Sequence, residues 1–285
     1  MTGTQSNQSG TLYVVGTPIG NLDDLSPRAR EVLRSVEVVA AEDTRRTRGL
    51  LSTIGAEPTV ISYHEHNEKP RAAELLERLR AGTDVALVSD AGMPLVSDPG
   101  WTLVAAALAA GIVVRTVPGP TAAIAALVAS GLPSDRFVFE GFLPRRVQQR
   151  AQRLRELASE PRTIVVYESV HRFADTLTAL VEAFGSDRRA VIGRELTKVH
   201  ESICAGSLGE LRTQLGETIP LLGEFVLVLA GSRSQASPEE QELKRIFDLL
   251  AQDVGADRAV ALTAAIARVP RNTAYRATRI RESGE

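Results

Sequence analysis

The chain has 285 residues, 44% of them hydrophobic, and a formal net charge of −2. That length accommodates two domains and a sizeable core, and the near-balanced charge gives no bulk electrostatic sign of a nucleic-acid binder. The lone cysteine, Cys204, excludes an internal disulfide and a cysteine-based zinc site and implies a cytoplasmic protein.

Residues 1–10 are polar and uncharged, which reads as a disordered N-terminus rather than a signal peptide. Strands are expected at 11–16, 36–41, 58–62, 84–89 and 112–117. Helical patterns fill 27–34, 44–54, 69–81 and 99–110, and another helix is expected after Thr121. This alternation predicts a mostly parallel sheet with helices on both faces, in a first α/β domain over 11–131. No apolar stretch is long enough to span a membrane without glycine or charge. The breakers Gly131-Leu132-Pro133-Ser134-Asp135 mark a boundary, and a second α/β domain is expected over 132–231. Its strands fall at 136–140, 163–167, 190–195, 200–205 and 224–229, and its helices at 147–158, 171–183 and 208–215. The close spacing of 190–195 and 200–205 predicts a hairpin, hence a mixed sheet. Residues 231–238 have linker composition. An extension over 238–285 follows, with helical patterns at 239–252, 256–268 and 271–281. The last two are joined only by Val269-Pro270, as in a helix-turn-helix, although a small bundle that merely packs has the same pattern. Arg271, Arg276, Arg279 and Arg281 tilt the reading toward RNA contact.

Only three of the 33 basic residues are lysine (Lys69, Lys198 and Lys244). Arginine forks suit phosphate, though a GC-rich genome gives the same bias. Arginines cluster at Arg45, Arg46 and Arg48 and again at Arg145, Arg146, Arg150, Arg153 and Arg155.

The segment 89–100, Ser-Asp-Ala-Gly-Met-Pro-Leu-Val-Ser-Asp-Pro-Gly, follows an apolar strand. It is too long for an ordinary strand-to-helix connection, and a loop at a strand's carboxyl end is where open α/β sheets bind ligands. Its bland alternative is a connection in which Ser97 or Asp98 caps the next helix. A second such loop is Val117-Pro118-Gly119-Pro120-Thr121. The loop after the first strand, Gly16-Thr17-Pro18-Ile19-Gly20-Asn21, lacks the dinucleotide Gly-x-Gly-x-x-Gly spacing, and Pro18 lacks a backbone N–H. The Gly-x-Gly loop of the commoner adenosylmethionine methyltransferases is also absent.

Seven segments in register resemble one family: 16–21, Ala41-Glu42-Asp43-Thr44-Arg45, His64-Glu65-His66-Asn67-Glu68, 89–100, 117–121, Tyr167-Glu168-Ser169 and Arg194-Glu195-Leu196-Thr197-Lys198. Together they resemble the branch of the tetrapyrrole (corrin/porphyrin) methylase superfamily that methylates small-subunit ribosomal RNA. The resemblance covers about residues 12–281. It implies an α/β fold of two domains with a cofactor cleft between them, plus the small C-terminal helical extension. It also implies a homodimer, S-adenosylmethionine as cofactor, and the 2′-hydroxyl of a cytidine in the decoding region of 16S rRNA as substrate. The cofactor contacts it implies are Pro18, Asp90, Met93, Ser97, Gly119, Thr121, Ala122 and Tyr167. Asp90 has turn stabilisation as its alternative role. Relatives often have serine where Thr121 stands. Where many tetrapyrrole-acting members have Gly-Asp-Pro, this chain has Ser89-Asp90-Ala91, consistent with the RNA-acting branch.

A ribose hydroxyl needs a proton acceptor. Glu42, Asp43, His64, His66 and Glu68 are candidates, and Asp43 also suits the N-cap of the helix starting at Thr44. Lys198 could meet phosphate or lower a hydroxyl pKa, or form an exposed ion pair. The catalytic expectation is therefore Glu42, Asp43, His64 and Lys198. Arg45, Arg46, Arg48, His66 and Asn67 are expected to meet RNA, against the alternative of a solvated helix face. His64 and His66 lack a third ligand nearby, so no metal is expected. His171 and His200 read as structural. Two other functions fit less well: carbon methylation of a tetrapyrrole, which leaves the extension unexplained, and a non-catalytic ribosome-assembly RNA-binding protein.

Overall fold

The computed structural model describes residues 9–232 and 238–278. Most of the expected N-terminal disorder, most of the linker, and Arg279 and Arg281 lie outside the described residues, as does the side chain of Arg276. Gly10 is buried, and its N–H donates to the Leu79 carbonyl at 2.8 Å. Described residues up to Gly231 form one compact unit, and those from Ser232 a second.

The first sheet is wholly parallel, in the order β3-β2-β4-β1-β5. Its strands are β1 (Leu12–Val15), β2 (Val38–Ala41), β3 (Thr59–Ser62), β4 (Val85–Val88) and β5 (Val114–Val117). Both faces of its centre are buried, so β2 and β4 read as unbroken apolar runs. The period of two then assigns side chains to faces. Val85 and Leu87 of β4 join a cluster with α3 (Glu68–Arg80) and α4 (Trp101–Ala109). Ala86 and Val88 join the opposite cluster with α1 (Pro27–Ser35) and α2 (Thr44–Thr53).

The second sheet has the order β6-β7-β10-β8-β9. Its strands are β6 (Phe137–Phe142), β7 (Thr163–Glu168), β8 (Arg189–Arg194), β9 (Ser202–Ser207) and β10 (Phe225–Leu229). β6 and β7 are parallel and the other pairs antiparallel, including the expected β8–β9 hairpin. One face packs on α6 (Val147–Leu157), α7 (Val170–Phe184) and α8 (Leu208–Gln214). The other face is covered by α5 (Ala122–Ala129), whose Ala123, Ala126 and Leu127 pack on Val165, Val191, Val226 and Val228. The helix that closes the first half of the chain is therefore part of the second half's core. This seam brings the carboxyl-end loops of the parallel sheet against the second sheet.

The second compact unit contains α9 (Pro238–Val254), α10 (Ala256–Ala267) and α11 (Arg271–Thr278). Arg268 takes a left-handed conformation (φ 55°) that stops α10, and Val260, Ala264 and Ala274 form a small core with Phe247 and Val269. No helix among the described residues is long and apolar enough to cross a membrane.

The bland alternative for the long loop does not hold. Neither Ser97 nor Asp98 caps the helix after the long loop. α4 begins at Trp101, and its N-cap Gly100 has no side chain to offer. The cap comes from α3: Glu68 Oε1 accepts the N–H groups of Gly100 and Thr102 at 3.0 and 3.2 Å, and the Tyr63 hydroxyl at 3.1 Å. Gly100 sits at φ 137°, and a Cβ there would stand 2.8 Å from Leu87 Cδ2, so a residue with a capping side chain has no room.

Candidate active site

The loops that leave adjacent strands β1 and β4 are zipped together. Thr17 and Gly92 exchange both backbone hydrogen bonds, at 2.9 and 3.0 Å. Gly16 and Gly119 press two further loop backbones together, since a Cβ on Gly119 would lie 2.8 Å from Gly16 Cα. The Gly119 N–H donates to Met93 Sδ at 3.3 Å. The long loop carries two non-glycine residues at positive φ, Leu95 (70°) and Ser97 (67°). Such conformations cost about 1–3 kcal/mol each and persist only where surrounding contacts impose them.

These loops and the second sheet enclose a cleft of about 530 Å³, within the size range of small-ligand sites. Of the residues expected to function, Glu42, Arg46, Asp90, Met93, Ser97, Thr121, Ala122 and Tyr167 line it. Apolar wall is supplied by Ile19, Val96, Leu196 and Val226. Asp90 spans two elements. Its Oδ1 accepts the Asp43 N–H at 2.9 Å, and its Oδ2 pairs with Arg46 Nη1 at 3.3 Å. The Tyr167 hydroxyl accepts the Ala123 N–H at 3.0 Å and so ties β7 to the start of α5. Thr121 caps the same helix. An N-terminal turn at the cleft favours an anionic ligand group.

The other expected residues lie elsewhere. Asp43 is the N-cap of α2, accepting the Arg45 and Arg46 N–H groups at 2.8 and 3.3 Å. The Arg45 N–H bond above all holds its carboxyl below the usual range, and its carboxylate is engaged in capping. His64 does not line the cleft; its Nε2 lies 3.2 Å from Asn67 Nδ2, and its buried Nδ1 has no partner. Asn67 accepts the His64 N–H at 2.8 Å and donates to the Ser62 carbonyl at 3.1 Å, which fixes the turn after β3 and occupies its amide. His66 stacks edge-on to His64. Glu68 is turned to the α4 cap, and Lys198 is held between Glu195 and Glu224, both at 2.9 Å. Pro18 and Gly119 do not line the cleft, and Pro18 instead lines a second pocket that includes Arg46 and Asp90, while Arg45 and Arg48 are exposed on α2.

The sequence reading missed Asp98 as a site residue. Asp98 lines the cleft with Glu42 and Asp90. Burial first, then the Glu42 charge, pushes its carboxyl from 3.8 up to about 7, against a Ser89 hydrogen bond that opposes the rise. Burial and the Asp90 charge also raise Glu42. Three carboxylates in one partly buried cleft favour a cationic ligand and hold one of their number ready to take a proton near neutrality. Glu168, by contrast, is fully engaged by Arg172, Ser169 and Thr176.

Two packed α/β layers with a ligand cleft at the carboxyl ends of a parallel sheet define an enzyme-like, small-ligand fold. Residues 11–212 match the family Tetrapyrrole (Corrin/Porphyrin) Methylases, and the chain belongs to it. It is similar to the ribosomal RNA small subunit methyltransferase I of Xylella fastidiosa (strain Temecula1), with 50% identity over 93% of this chain and 98% of that one. The protein of the same name from Pseudomonas aeruginosa is 47% identical over 94% and 96% of the two chains. A solved uroporphyrin-III C-methyltransferase from Thermus thermophilus, complexed with S-adenosylhomocysteine, shares the fold. Its TM-score is 0.54 and its identity 22%, over 78% of this chain and 97% of that one.

Proposed function

We propose that the chain is an S-adenosylmethionine-dependent methyltransferase of small-subunit ribosomal RNA, and that its target is a cytidine ribose 2′-hydroxyl in the decoding region. The observation that carries the reading is the cleft, whose loops match the family along the chain and whose acidic lining suits a sulfonium cofactor. Glu42, Asp90 and Asp98 would supply negative charge for the cofactor's cationic groups, the α5 N-terminus would suit its carboxylate, and Ile19, Val96 and Leu196 would give apolar wall for a purine. When bound, S-adenosylmethionine supplies an electrophilic methyl group. The chain's own residues position the acceptor, exclude water and take a proton. Asp98 is the residue that accepts the hydroxyl proton, its basicity raised by burial first and then by the Glu42 charge.

Arg46 at the cleft, with Arg45 and Arg48 on the same helix, suits phosphates of the incoming strand. A homodimer is supported by α4, which is apolar on all sides. Leu103 and Ala107 are buried and Val104 packs against their cluster, yet Trp101, Ala105 and Leu108 form a second stripe at helical spacing, with Trp101 73% and Leu108 61% exposed. A second copy of this chain, presenting the same apolar stripe, is the occupant this reading assigns to it. A cytoplasmic location follows from the substrate.

The test is transfer of labelled methyl to small ribosomal subunits from cells lacking this gene, run beside a tetrapyrrole acceptor. The reading requires label in the subunit RNA. Label in the macrocycle alone, or cofactor binding with no transfer to RNA, overturns it.

A further inference from the structure

Phe142 is 55% exposed and lines the cleft, although phenylalanine loses stability by facing water. Its orientation is built by a bulge. β6 pairs with β7 in register as far as Phe139, and the register then shifts, leaving Glu140 as the extra residue before Gly141 at φ 68°. In a regular strand, Phe139 and Phe142 would face opposite sides of the sheet. The inserted residue shifts the alternation by one and puts both rings on one face. Both contact the Tyr167 ring edge-on, with centroids at 5.0 and 5.6 Å. Arg153 of α6 grips the Glu140 carboxylate with two hydrogen bonds, at 2.6 and 2.7 Å, and so pins the bulge. That grip also removes Arg153 from any role toward RNA, and Arg150 is buried. Arg145 and Arg146, three and four residues beyond Phe142, are exposed and have no ion-pair partner among the described residues.

An aromatic face open to solvent at a cleft, beside free guanidinium groups, is the chemistry that receives an unstacked nucleobase and its flanking phosphates. We propose that Phe142 is the stacking platform for a nucleobase of the target strand, at or beside the methylated nucleotide, with Arg145 and Arg146 holding adjacent phosphates. This assignment rests on the RNA reading above and assigns the second sheet, not only α2, to substrate recognition. Tyr167, half-buried in the cleft wall, contacts the Phe142 ring edge-on and so supports the platform.

The experiment compares the full-length wild type with Phe142→Ala, Phe142→Leu and Phe142→Trp. The measurements are KM and kcat on small subunits from cells lacking the gene, and affinity for S-adenosylhomocysteine by calorimetry. Losing one base–aromatic stack corresponds to roughly 5- to 150-fold in affinity. Phe142→Ala and Phe142→Leu should therefore raise KM about tenfold or more, with kcat changed less and S-adenosylhomocysteine affinity unchanged. Phe142→Trp should restore KM, which a purely hydrophobic role would not require. Arg145→Ala/Arg146→Ala should raise KM and flatten its salt dependence. Weakened S-adenosylhomocysteine binding in Phe142→Ala with KM unchanged would place the ring in the cofactor subsite and overturn the proposal. So would an unchanged KM in both Ala and Leu variants, or rescue by leucine as complete as by tryptophan. An inactive wild type on RNA would instead refute the reading of function, so the two failures are distinguishable.

Discussion

Asp98→Asn removes one negative charge from the cleft and keeps the side chain's shape. Burial and the Glu42 charge hold the Asp98 carboxyl at about 7 rather than 3.8. A carboxyl raised in the folded state binds more protons there than in the unfolded chain, so its contribution to stability falls as pH rises from about 4 to about 7. At 1.36 kcal/mol per pH unit, this destabilises the protein at pH 8 by up to about 4 kcal/mol. The neutral amide avoids that cost. Asp98→Asn should melt higher than wild type at pH 8, by on the order of 5 °C or more, and the gain should shrink toward zero as pH falls to 4. The groups facing Asp98 are Ser89, Glu42, Asp90 and Tyr167, with Arg46 already paired to Asp90, so among the described residues no cation of the chain neutralises it. Activity should move the other way. Losing a general base lowers kcat by about 10²–10⁴-fold, and the wild-type rise of kcat with deprotonation of this carboxyl should disappear. Scanning calorimetry at pH 4 and pH 8, with a kcat–pH profile, checks both halves. A variant that keeps wild-type kcat, or melts lower at pH 8, refutes the reasoning.

Glu68→Ala strips α4 of its cap and leaves Tyr63, Gly100 and Thr102 without their acceptor; a loss of roughly 1–3 kcal/mol in thermal unfolding is expected. Burial alone would raise Glu68, but those hydrogen bonds outweigh it and its carboxyl is lowered. The stabilisation is thus present above pH 4.5 and is lost as pH falls through the lowered value, so wild type and variant should converge in acid. Gly119→Ala inserts a Cβ 2.8 Å from Gly16 Cα; the loops must part, and calorimetry should show at least about tenfold weaker S-adenosylhomocysteine binding. Leu108→Glu places a charge on the exposed α4 stripe, and light scattering should report monomers where wild type gives dimers.

Much of the architecture is legible in local pattern. The three central strands of the parallel sheet, β1, β2 and β4, are short apolar runs before a turn, and Ser26, Asp43 and Thr121 announce the helices they cap. The loops at 16–21, 89–100 and 117–121 stand out because glycine and proline rule out regular structure there. What sequence could not show depends on partners far along the chain. Asp98 looks like a capping residue until Glu42 is folded against it, and Glu68 looks like a free acid until α4 arrives 32 residues later. Phe142 lies beyond the strand expected at 136–140, and only the Glu140 bulge in a longer β6 turns it to the cleft. The arginine cluster from Arg145 to Arg155 reads as one basic patch, but Glu140 and burial divide it into structural and free members.

The central claim is methylation of a ribose hydroxyl in small-subunit RNA. Its most direct test is to label subunits from cells lacking this gene with radioactive S-adenosylmethionine and map the label by alkaline cleavage, which a 2′-O-methyl group blocks. One labelled, cleavage-resistant cytidine in the decoding region is the predicted result. Label at a cleavable position, or none in RNA despite measured cofactor binding, would contradict it.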